Sequence, residues 1–440
     1  MKHYTRLFLG QPRANSSQRG FVLVLLILGA LIGLGVLFAG ALSVTSQRVE
    51  RDRITQEALA KAKEALLSFA SGNRTKGHLP CPEDRALVGF PLEGNALSAC
   101  GSDALRIGRL PWRTLGLGDL RDGYGERLWY VVSANFRPTS TPINSDTTAT
   151  LSVNGVANFI VIVFSAGEPN PNQTRNSTVA FCATTSSSIG RDYCATNYLD
   201  TLPSGLSNSN ANVTFAENAW IQGVFNDKSI TITPAEFLAR VQPRVLRQVA
   251  ACLIAYSNDP ANLNHLFPWA VPVGSGSNPN PFPNPDPGQN AYYVDRAGIR
   301  LGRLPDNLSD PAAASRLTTG VTSWNGPDCP LYCNTSPCPD AASTRNWLKD
   351  WREHVFYAVS QRYSPAGNGA TGPLLTVGTN TAVRAVVFIA GPLLAVQARG
   401  TTTQRNTASN YVEGENLNGD DVYSNASASS TFNDSVMIVK

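Results

Sequence analysis

An unbroken apolar run is the first hydrophobic pattern along the chain. No charged residue occurs between Phe21 and Ser46, and most positions there are Leu, Val, Ile, Gly, Ala or Phe. About 20 apolar residues span a bilayer as a helix, so the run is long enough to do so. It is too long for the apolar part of an ordinary secretory signal, and no A-x-A cleavage site follows it. The pattern predicts a membrane anchor.

The apolar run continues directly into an amphipathic stretch. Val49, Ile54, Leu59 and Phe69 recur at helical spacing, and no proline interrupts the sequence before Gly72. The spacing predicts a single helix of roughly 50 residues. We expect its first half to lie in lipid and its second half in the periplasm.

The charge distribution indicates how this helix is oriented. The leader carries Lys2, Arg6, Arg13 and Arg19 without an acidic residue, and it accounts for the whole net charge of +4. Positive charge ahead of an anchor keeps the N-terminus in the cytoplasm, which places the body outside. The rest of the chain has 32 basic and 32 acidic residues. Since it has no stripe of Lys and Arg, we expect no nucleic-acid partner.

The residues that join the leader to the apolar run are Arg19, Gly20 and Phe21. A basic leader ending in Gly, followed by Phe and a hydrophobic helix, resembles the class III signal of type IV pilins and type II secretion pseudopilins. The resemblance implies that prepilin peptidase cuts after Gly20 and that the new N-terminal Phe21 is methylated. The alternative is a plain anchor in which this Gly-Phe pair occurs by chance.

The chain departs from the pilin pattern at one position. The family usually has Glu at the fifth mature residue, where this chain has Leu25. A carboxylate inside a membrane is costly and is retained for a partner. A tip subunit of the family, the K-type minor pseudopilin, also lacks this Glu. The resemblance therefore points to a terminal rather than a repeating subunit.

An internal repeat organises the rest of the chain. Six segments recur in the same order, and the matched ranges are 65–80 with 252–268, 105–111 with 299–305, 125–138 with 352–365, 158–167 with 384–391, 197–200 with 410–413 and 225–233 with 432–440. Such ordered self-similarity predicts a tandem duplication. The predicted division is a leader at 1–20, a helix at 21–72, a first module at 73–233 and a second module at 234–440.

Each repeat unit contains a helix followed by short strands. Segments rich in β-branched and aromatic residues predict strands at 128–132, 159–164 and 229–233, and again at 355–359, 385–389 and 436–439. Thr233, Pro234 and Glu236 form a capping box with proline at the first helical position, so a second helix begins there. That helix carries charged residues, which exclude a second membrane span.

The predicted fold class is α+β. A long transmembrane-plus-periplasmic helix carries two tandem modules, each a helix packed on a small antiparallel sheet, as the pilin resemblance implies.

The cysteines favour an oxidising compartment. An even number in loop-like sequence indicates disulfides, and the candidates are Cys81, Cys100, Cys182, Cys194, Cys252, Cys329, Cys333 and Cys338. We expect the local pairs 81–100 and 182–194. Cys252 is either a buried thiol or the partner of one of the last three. Those three could instead bind a metal, although zinc sites usually show tighter paired spacing.

The histidines do not indicate catalysis. His78 and His265 occupy the same place in the two units, which favours a structural role, and His354 lies beside Glu353 without a nucleophile motif. The sequence contains no G-x-S-x-G, H-E-x-x-H or P-loop pattern. We therefore expect that the protein is not an enzyme.

The segment 413–421, EGENLNGDD, is the densest group of oxygen ligands. The candidate calcium ligands are Glu413, Glu415, Asn418, Asp420 and Asp421. Calcium prefers such oxygen donors in glycine-containing loops, and some pseudopilins bind it in a C-terminal loop. The spacing is not that of an EF-hand, and the alternative is a solvated acidic turn.

These patterns predict a minor pilin or pseudopilin-like assembly protein. Its expected partners are prepilin peptidase, other pilin or pseudopilin subunits and the bacterial inner membrane. A single pass would leave the modules in the periplasm or at a filament tip, which their bulk favours. The alternatives are a membrane-anchored periplasmic binding protein or enzyme with an uncleaved anchor, and an adhesin whose loops bind a surface ligand.

Overall fold

The protein is described from a computed structural model. The described residues are 17–72, 77–101, 106–138, 142–171, 173, 175, 194–210, 213–273, 295–305, 308 and 350–440, with the backbone alone for 17–22 and 32–45.

Short strands outnumber helices in these residues. The helices are α1 (Ser17–Ala70), α2 (Pro234–Ser257), α3 (Thr402–Arg405) and α4 (Glu415–Asn418). The strands of the first module are β1 (Ile107–Arg109), β2 (Trp129–Val132), β3 (Leu151–Val153), β4 (Val156–Phe159), β5 (Val161–Ser165), β6 (Thr214–Phe215) and β7 (Lys228–Ile232). Those of the second are β8 (Leu301–Arg303), β9 (Val355–Val359), β10 (Leu375–Val377), β11 (Asn380–Val383), β12 (Ala385–Ile389), β13 (Val422–Tyr423) and β14 (Ser435–Val439).

The same pair of sheets occurs twice. Each module has an antiparallel four-stranded sheet, in the order β1-β2-β5-β7 or β8-β9-β12-β14. Each also has a three-stranded sheet, β4-β3-β6 or β11-β10-β13, that contains a parallel pair. The predicted fold class, with one small antiparallel sheet per module, is therefore wrong. The extra sheets consist of strands of two to four residues that carry too short a pattern to be recognised.

Both faces of the four-stranded sheets are buried. Successive side chains of a strand point to opposite faces, so Tyr130 and Val132 join the helix-side core while Trp129 and Val131 join the core under the small sheet. Strands β5, β9 and β12 alternate in the same way. A strand buried on both sides is a continuous apolar run. Each four-stranded sheet thus lies between a helix and a small sheet.

The two modules share one core. The C-terminal half of α1 packs on β5 and β7, α2 packs on β12 and β14, and the two helices pack on each other. Phe136 of the first module meets Phe237 of α2 edge to face, with ring centroids 5.2 Å apart. Lys63 of α1 forms an ion pair with Glu236 of α2 at 2.5 Å. The second module is built against the first and not merely linked to it.

Helix α1 overturns another part of the predicted fold class. It is a continuous helix of 54 residues, but none of the helices, over the residues described, has a stretch long and apolar enough to cross a membrane. The prediction that the first half of α1 spans a membrane is therefore contradicted over the described residues.

The start of α2 follows the predicted capping box. The Thr233 hydroxyl accepts a hydrogen bond from the Glu236 backbone N–H at 3.3 Å, and the Glu236 carboxylate accepts one from the Thr233 N–H at 3.0 Å. Pro234 is the first helical residue. These bonds satisfy backbone donors that a helix start leaves free.

Candidate functional site at the junction of the two modules

Each module buries a tyrosine between two guanidinium groups. The trios are Arg109, Tyr198 and Arg175 in the first module and Arg303, Tyr411 and Arg399 in the second. The guanidinium carbons lie 4.4 to 5.4 Å from the ring centres. Desolvated contacts of this kind are worth about 2 kcal/mol each. The repeated motifs GRLP and NYLD/NYVE therefore supply one arginine and the tyrosine of each trio.

A pair of carboxyl groups lies beside each trio. The pairs are Asp200 with Asp227 and Glu413 with Asp434. In both, the backbone N–H of the first acid donates to Oδ2 of the second, at 2.8 and 3.2 Å. In both, an asparagine amide also donates to that oxygen, from Asn208 or Asn416 at 2.9 Å. The repeat thus preserves a complete hydrogen-bonding arrangement, including its asparagine.

Burial favours the protonated form of the second acid in each pair. Burial, reinforced by the charge of Asp200, raises the pKa of Asp227 well above its usual range. Burial and the charge of Glu413 raise the pKa of Asp434 to about 8. Two carboxyl groups that share a buried site cannot both ionise without a large cost. Burial therefore opposes simultaneous ionisation of both carboxyl groups in each pair.

In the first module, the hydrogen bonds that lead from the acid pair to the arginine end on a residue of the same module. Gln173 donates from Nε2 to Asp200 Oδ1 at 2.7 Å, and its Oε1 accepts from Arg175 Nη2 at 2.8 Å. The other arm of Arg175 lies 3.4 Å from a carboxylate oxygen of Glu126. All four residues belong to the same module.

In the second module the equivalent network ends on a residue of the first. Gln397 donates to Glu413 Oε1 at 2.6 Å and accepts from Arg399 Nη2 at 3.3 Å. Arg399 Nη1 then donates to Asp146 Oδ1 at 2.7 Å. The other Asp146 oxygen lies 2.9 Å from His354 Nε2. Asp146 thus bridges two side chains of the second module.

The electrostatics of this bridge favour a charged carboxylate. Burial alone would raise the pKa of Asp146, but the charges and hydrogen bonds of His354 and Arg399 outweigh it and lower the pKa to about 2. The side chains of His354 and Arg399 are each only 2% exposed. A buried cation needs a partner, and the first module supplies it.

Residues 142–147, which we name the junction loop, carry Asp146 into the second module. Asn144 donates to the Asp350 carbonyl at 3.0 Å, and Ser145 donates to the Ala390 carbonyl at 2.6 Å. Gln242 of α2 donates to the Ser145 hydroxyl at 3.2 Å. These bonds fix the loop between the end of β12 and the first half of α2.

The first module fills the equivalent place with its own turn. By the register of the repeat, Thr55 of α1 corresponds to Gln242 of α2, and its hydroxyl accepts from the Gly123 N–H at 3.0 Å. The neighbouring Asp122 accepts from the Ser165 hydroxyl at 2.6 Å. The two modules therefore have equivalent frameworks but, within the described residues, only the second is completed by a segment of the other module.

The cysteine predictions are resolved in part. Cys81 and Cys100 are joined by a disulfide, with Cα atoms 5.7 Å apart. Cys194 and Cys252 are also disulfide-bonded, so Cys252 is not a buried thiol. The remaining candidates, Cys182, Cys329, Cys333 and Cys338, lie outside the described residues. Their pairing and the metal alternative stay predictions.

The residues of the predicted processing signal lie near the start of α1. Gly20 and Phe21 are helical, and Leu25 follows with 52% of its surface exposed. Cleavage after Gly20 and methylation of Phe21 stay predictions.

The predicted calcium ligands are not gathered into a site. Glu413 bonds Gln397 and the Asn433 N–H, and Asp421 forms a two-oxygen ion pair with Arg300 at 2.7 Å. The remaining three candidates bond one another or their own turn: Asn418 contacts Glu415 and Asp420. Within the described part of the chain, no group of three or more His, Cys, Asp or Glu side chains could hold a metal. Neighbours in sequence thus contact different partners, and calcium binding by this segment stays a prediction.

The histidines have different roles. His78 donates from Nδ1 to the Arg137 carbonyl, and His265 donates in the same way to the Ser257 carbonyl, both at 2.8 Å. His354 instead directs Nε2 at Asp146, which is 208 positions away in sequence. Sequence reasoning missed this partner. The recurring Gln-x-Arg at 173–175 and 397–399 was a usable signal for the rest of the network.

Comparison with known proteins adds no assignment. No protein-family model matches the chain, and no curated protein or solved structure is similar to it. The site is therefore interpreted from its geometry. That geometry holds two modules together through charge and hydrogen bonds.

Proposed function

We propose that the protein is a minor pilin-like or pseudopilin-like subunit that acts by assembly and binding in a type IV pilus or a type II secretion system. The observation that carries the proposal is the contrast between the two ends of α1. Its C-terminal half lies in the core, where Leu59 and Leu66 are fully buried. From Leu23 to Leu31 its large apolar side chains are 52–67% exposed. Uncovered apolar surface of this kind marks an interaction site.

The attachment of α1 to both modules supports a structural role. Lys63 and Glu64 of α1 pair with Glu236 and Arg240 of α2, while β5 and β7 pack on α1 directly. A force applied to the exposed end of α1 would therefore reach both modules through packed elements. A subunit that joins an assembly through its helix and displays its modules needs this property.

Placement at the tip is the form of the proposal that the bulk of the chain favours. Two modules follow α1 in this chain, whereas an ordinary pilin carries one, so stacking at every rung of a narrow filament would be crowded. Leu25 supports the same placement, since a terminal subunit has no neighbour above it whose charge must be neutralised.

Processing is the first test. The full-length chain is expressed with a prepilin peptidase, and its N-terminus is identified by mass spectrometry. We expect a chain that begins with methylated Phe21. Gly20→Val should block cleavage, whereas Gly10→Val, a matched change elsewhere in the leader, should not. A mature protein that retains residues 1–20 would contradict the proposal.

The position in the assembly is the second test. Labelled wild-type protein should be rare and located at filament ends. Leu25→Glu should be incorporated along the shaft at least as well as wild type. A wild-type protein that is abundant along the fibre would refute tip placement and leave the processing result to decide the broader proposal.

A further inference from the structure

We propose that the junction between the modules is a proton-controlled clasp, which is closed while the Glu413–Asp434 pair holds its proton and loosens when the pair loses it. The inference concerns how the second module is held and does not depend on the proposed function. It rests on a continuous set of contacts between the acid pair and the junction loop.

The proton of the Glu413–Asp434 pair is placed on Asp434. Asp434 is 6% exposed, and its Oδ2 accepts from the Glu413 N–H and from Asn416. Among the described residues, its other oxygen, Oδ1, has no hydrogen-bond partner. A buried carboxylate oxygen without a donor is costly. A proton on Asp434 removes that charge, in agreement with its pKa of about 8.

A chain of hydrogen bonds joins the Glu413–Asp434 pair to the junction loop. Gln397 donates a hydrogen bond to Glu413 at 2.6 Å and accepts one from Arg399 at 3.3 Å. Arg399 also donates a hydrogen bond to Asp146 at 2.7 Å. The charge of Arg399 also acts directly on Asp434 and lowers its pKa in opposition to burial. The same guanidinium group therefore interacts with the acid pair and with the junction loop.

Other charged groups also face the clasp. His354 lies against Asp146 on one side, and its ring meets Trp351 and Tyr411 edge-on at 6.2 and 5.5 Å. Arg399 lies over the Tyr411 ring, and burial raises the pKa of Tyr411 although the charge of Arg399 opposes this. Around the acid pair, Asn416 and the Asn433 N–H are neutral donors. Arg399 is thus the cation common to both carboxylate groups.

The direction of the effect follows from the raised pKa. When the proton leaves, the pair carries two negative charges, which repel each other and compete with Asp146 for Arg399. The open junction exposes the pair to water and releases the proton more easily. Opening is therefore favoured as pH rises, by up to about tenfold per pH unit below the raised pKa, and the effect levels off above about pH 8.

The first module provides an internal comparison. Burial likewise raises the pKa of Asp227, but the hydrogen-bonded route from its pair ends on Glu126 of the same module. Ionisation of Asp227 should therefore loosen the first module locally and leave the junction loop in place.

The test is amide hydrogen exchange of the full-length chain, read by mass spectrometry from about pH 5 to pH 9 after correction for the intrinsic exchange rate. Peptides covering 142–150 and 350–360 report the clasp. In wild type we expect their protection to fall by at least about tenfold between pH 5 and pH 8. Asp434→Asn, whose amide mimics the protonated acid, should make protection independent of pH.

The controls separate the clasp from a general loss of stability. Asp227→Asn should leave the pH dependence of the junction peptides unchanged, and peptides from the core of α2, at 241–253, should stay protected in all variants. If Asp434→Asn does not fold, Glu413→Gln removes the charge that helps to raise the pKa of Asp434, so the fall in protection should level off at a lower pH. The inference is overturned if wild-type protection is constant over this range, if the pH dependence survives Asp434→Asn, or if Glu413→Gln leaves the wild-type pH dependence unchanged.

Discussion

The two modules contain the same network but complete it differently. In the first, Arg175 turns to Glu126 of its own module. In the second, Arg399 turns to Asp146 of the other module. The tyrosine, glutamine, asparagine and acid pair are otherwise equivalent. The two modules therefore share a framework, and a single loop of the first module completes the second.

Equivalent positions of α1 and α2 also differ in their contacts. Phe237 of α2 is buried against Phe136 of the first module. The equivalent position of α1 is Glu50, whose side chain is 56% exposed. Helix α2 thus packs on its neighbour through a buried aromatic ring in its first turns, whereas α1 makes polar contacts at that level, where Asp52 pairs with Lys228 and Arg51 lies over the Tyr124 ring.

The largest expected effect comes from removing the Phe237 ring that α2 packs against the first module. Phe237→Ala should lower the free energy of unfolding by about 3–5 kcal/mol, since it deletes a buried aromatic ring between the modules. Urea denaturation of the full chain measures it. Phe90→Ala is the control, because Phe90 is 56% exposed and its loss should cost little. Similar losses in the two variants would contradict a shared core.

A smaller effect is expected at the junction loop. Asp146→Asn should cost about 3 kcal/mol, because it leaves the buried Arg399 and His354 without an anion. The control is Glu57→Gln, which removes an exposed partner of Arg53 on α1. Exposed pairs of this kind contribute about 1 kcal/mol or less. Equal losses would show that the junction is no stronger than a surface pair.

The contribution of Asp146 should also depend on pH. Its pKa falls from the usual 3.8 to about 2 in the folded protein. The stabilisation, about 2 kcal/mol, is therefore fully present above about pH 4 and is lost as pH falls through the folded value. The difference in unfolding free energy between wild type and Asp146→Asn should shrink between pH 5 and about pH 2. A difference that stays constant over this range would contradict the assigned ion pairs.

Part of this architecture could be predicted from the sequence. Strands β9 and β12 lie where their apolar runs predict them, and the capping box at Thr233 starts α2 as expected. These features depend on neighbouring residues, so local patterns are sufficient. The small sheets could not be predicted, since a strand such as β6 has two residues and gains its order from β3.

The junction could not be predicted for a different reason. Asp146 lies in a segment rich in Ser and Thr that has no counterpart in the repeat, and its partners are more than 200 positions away. The contacts of the candidate calcium ligands at 413–421 could not be predicted for a related reason. Neighbouring carboxylates in that segment are used separately, by Arg300 and by Gln397.

A double-mutant cycle between Asp146→Asn and Arg399→Gln, measured by urea denaturation of the full chain, tests the central claim most directly. The account predicts a coupling of about 2 kcal/mol. The matched cycle between Asp146→Asn and Arg175→Gln, the equivalent arginine of the first module, should show coupling below about 0.5 kcal/mol. A negligible coupling in the first cycle, or equal coupling in the two, would contradict the conclusion that the first module completes the second.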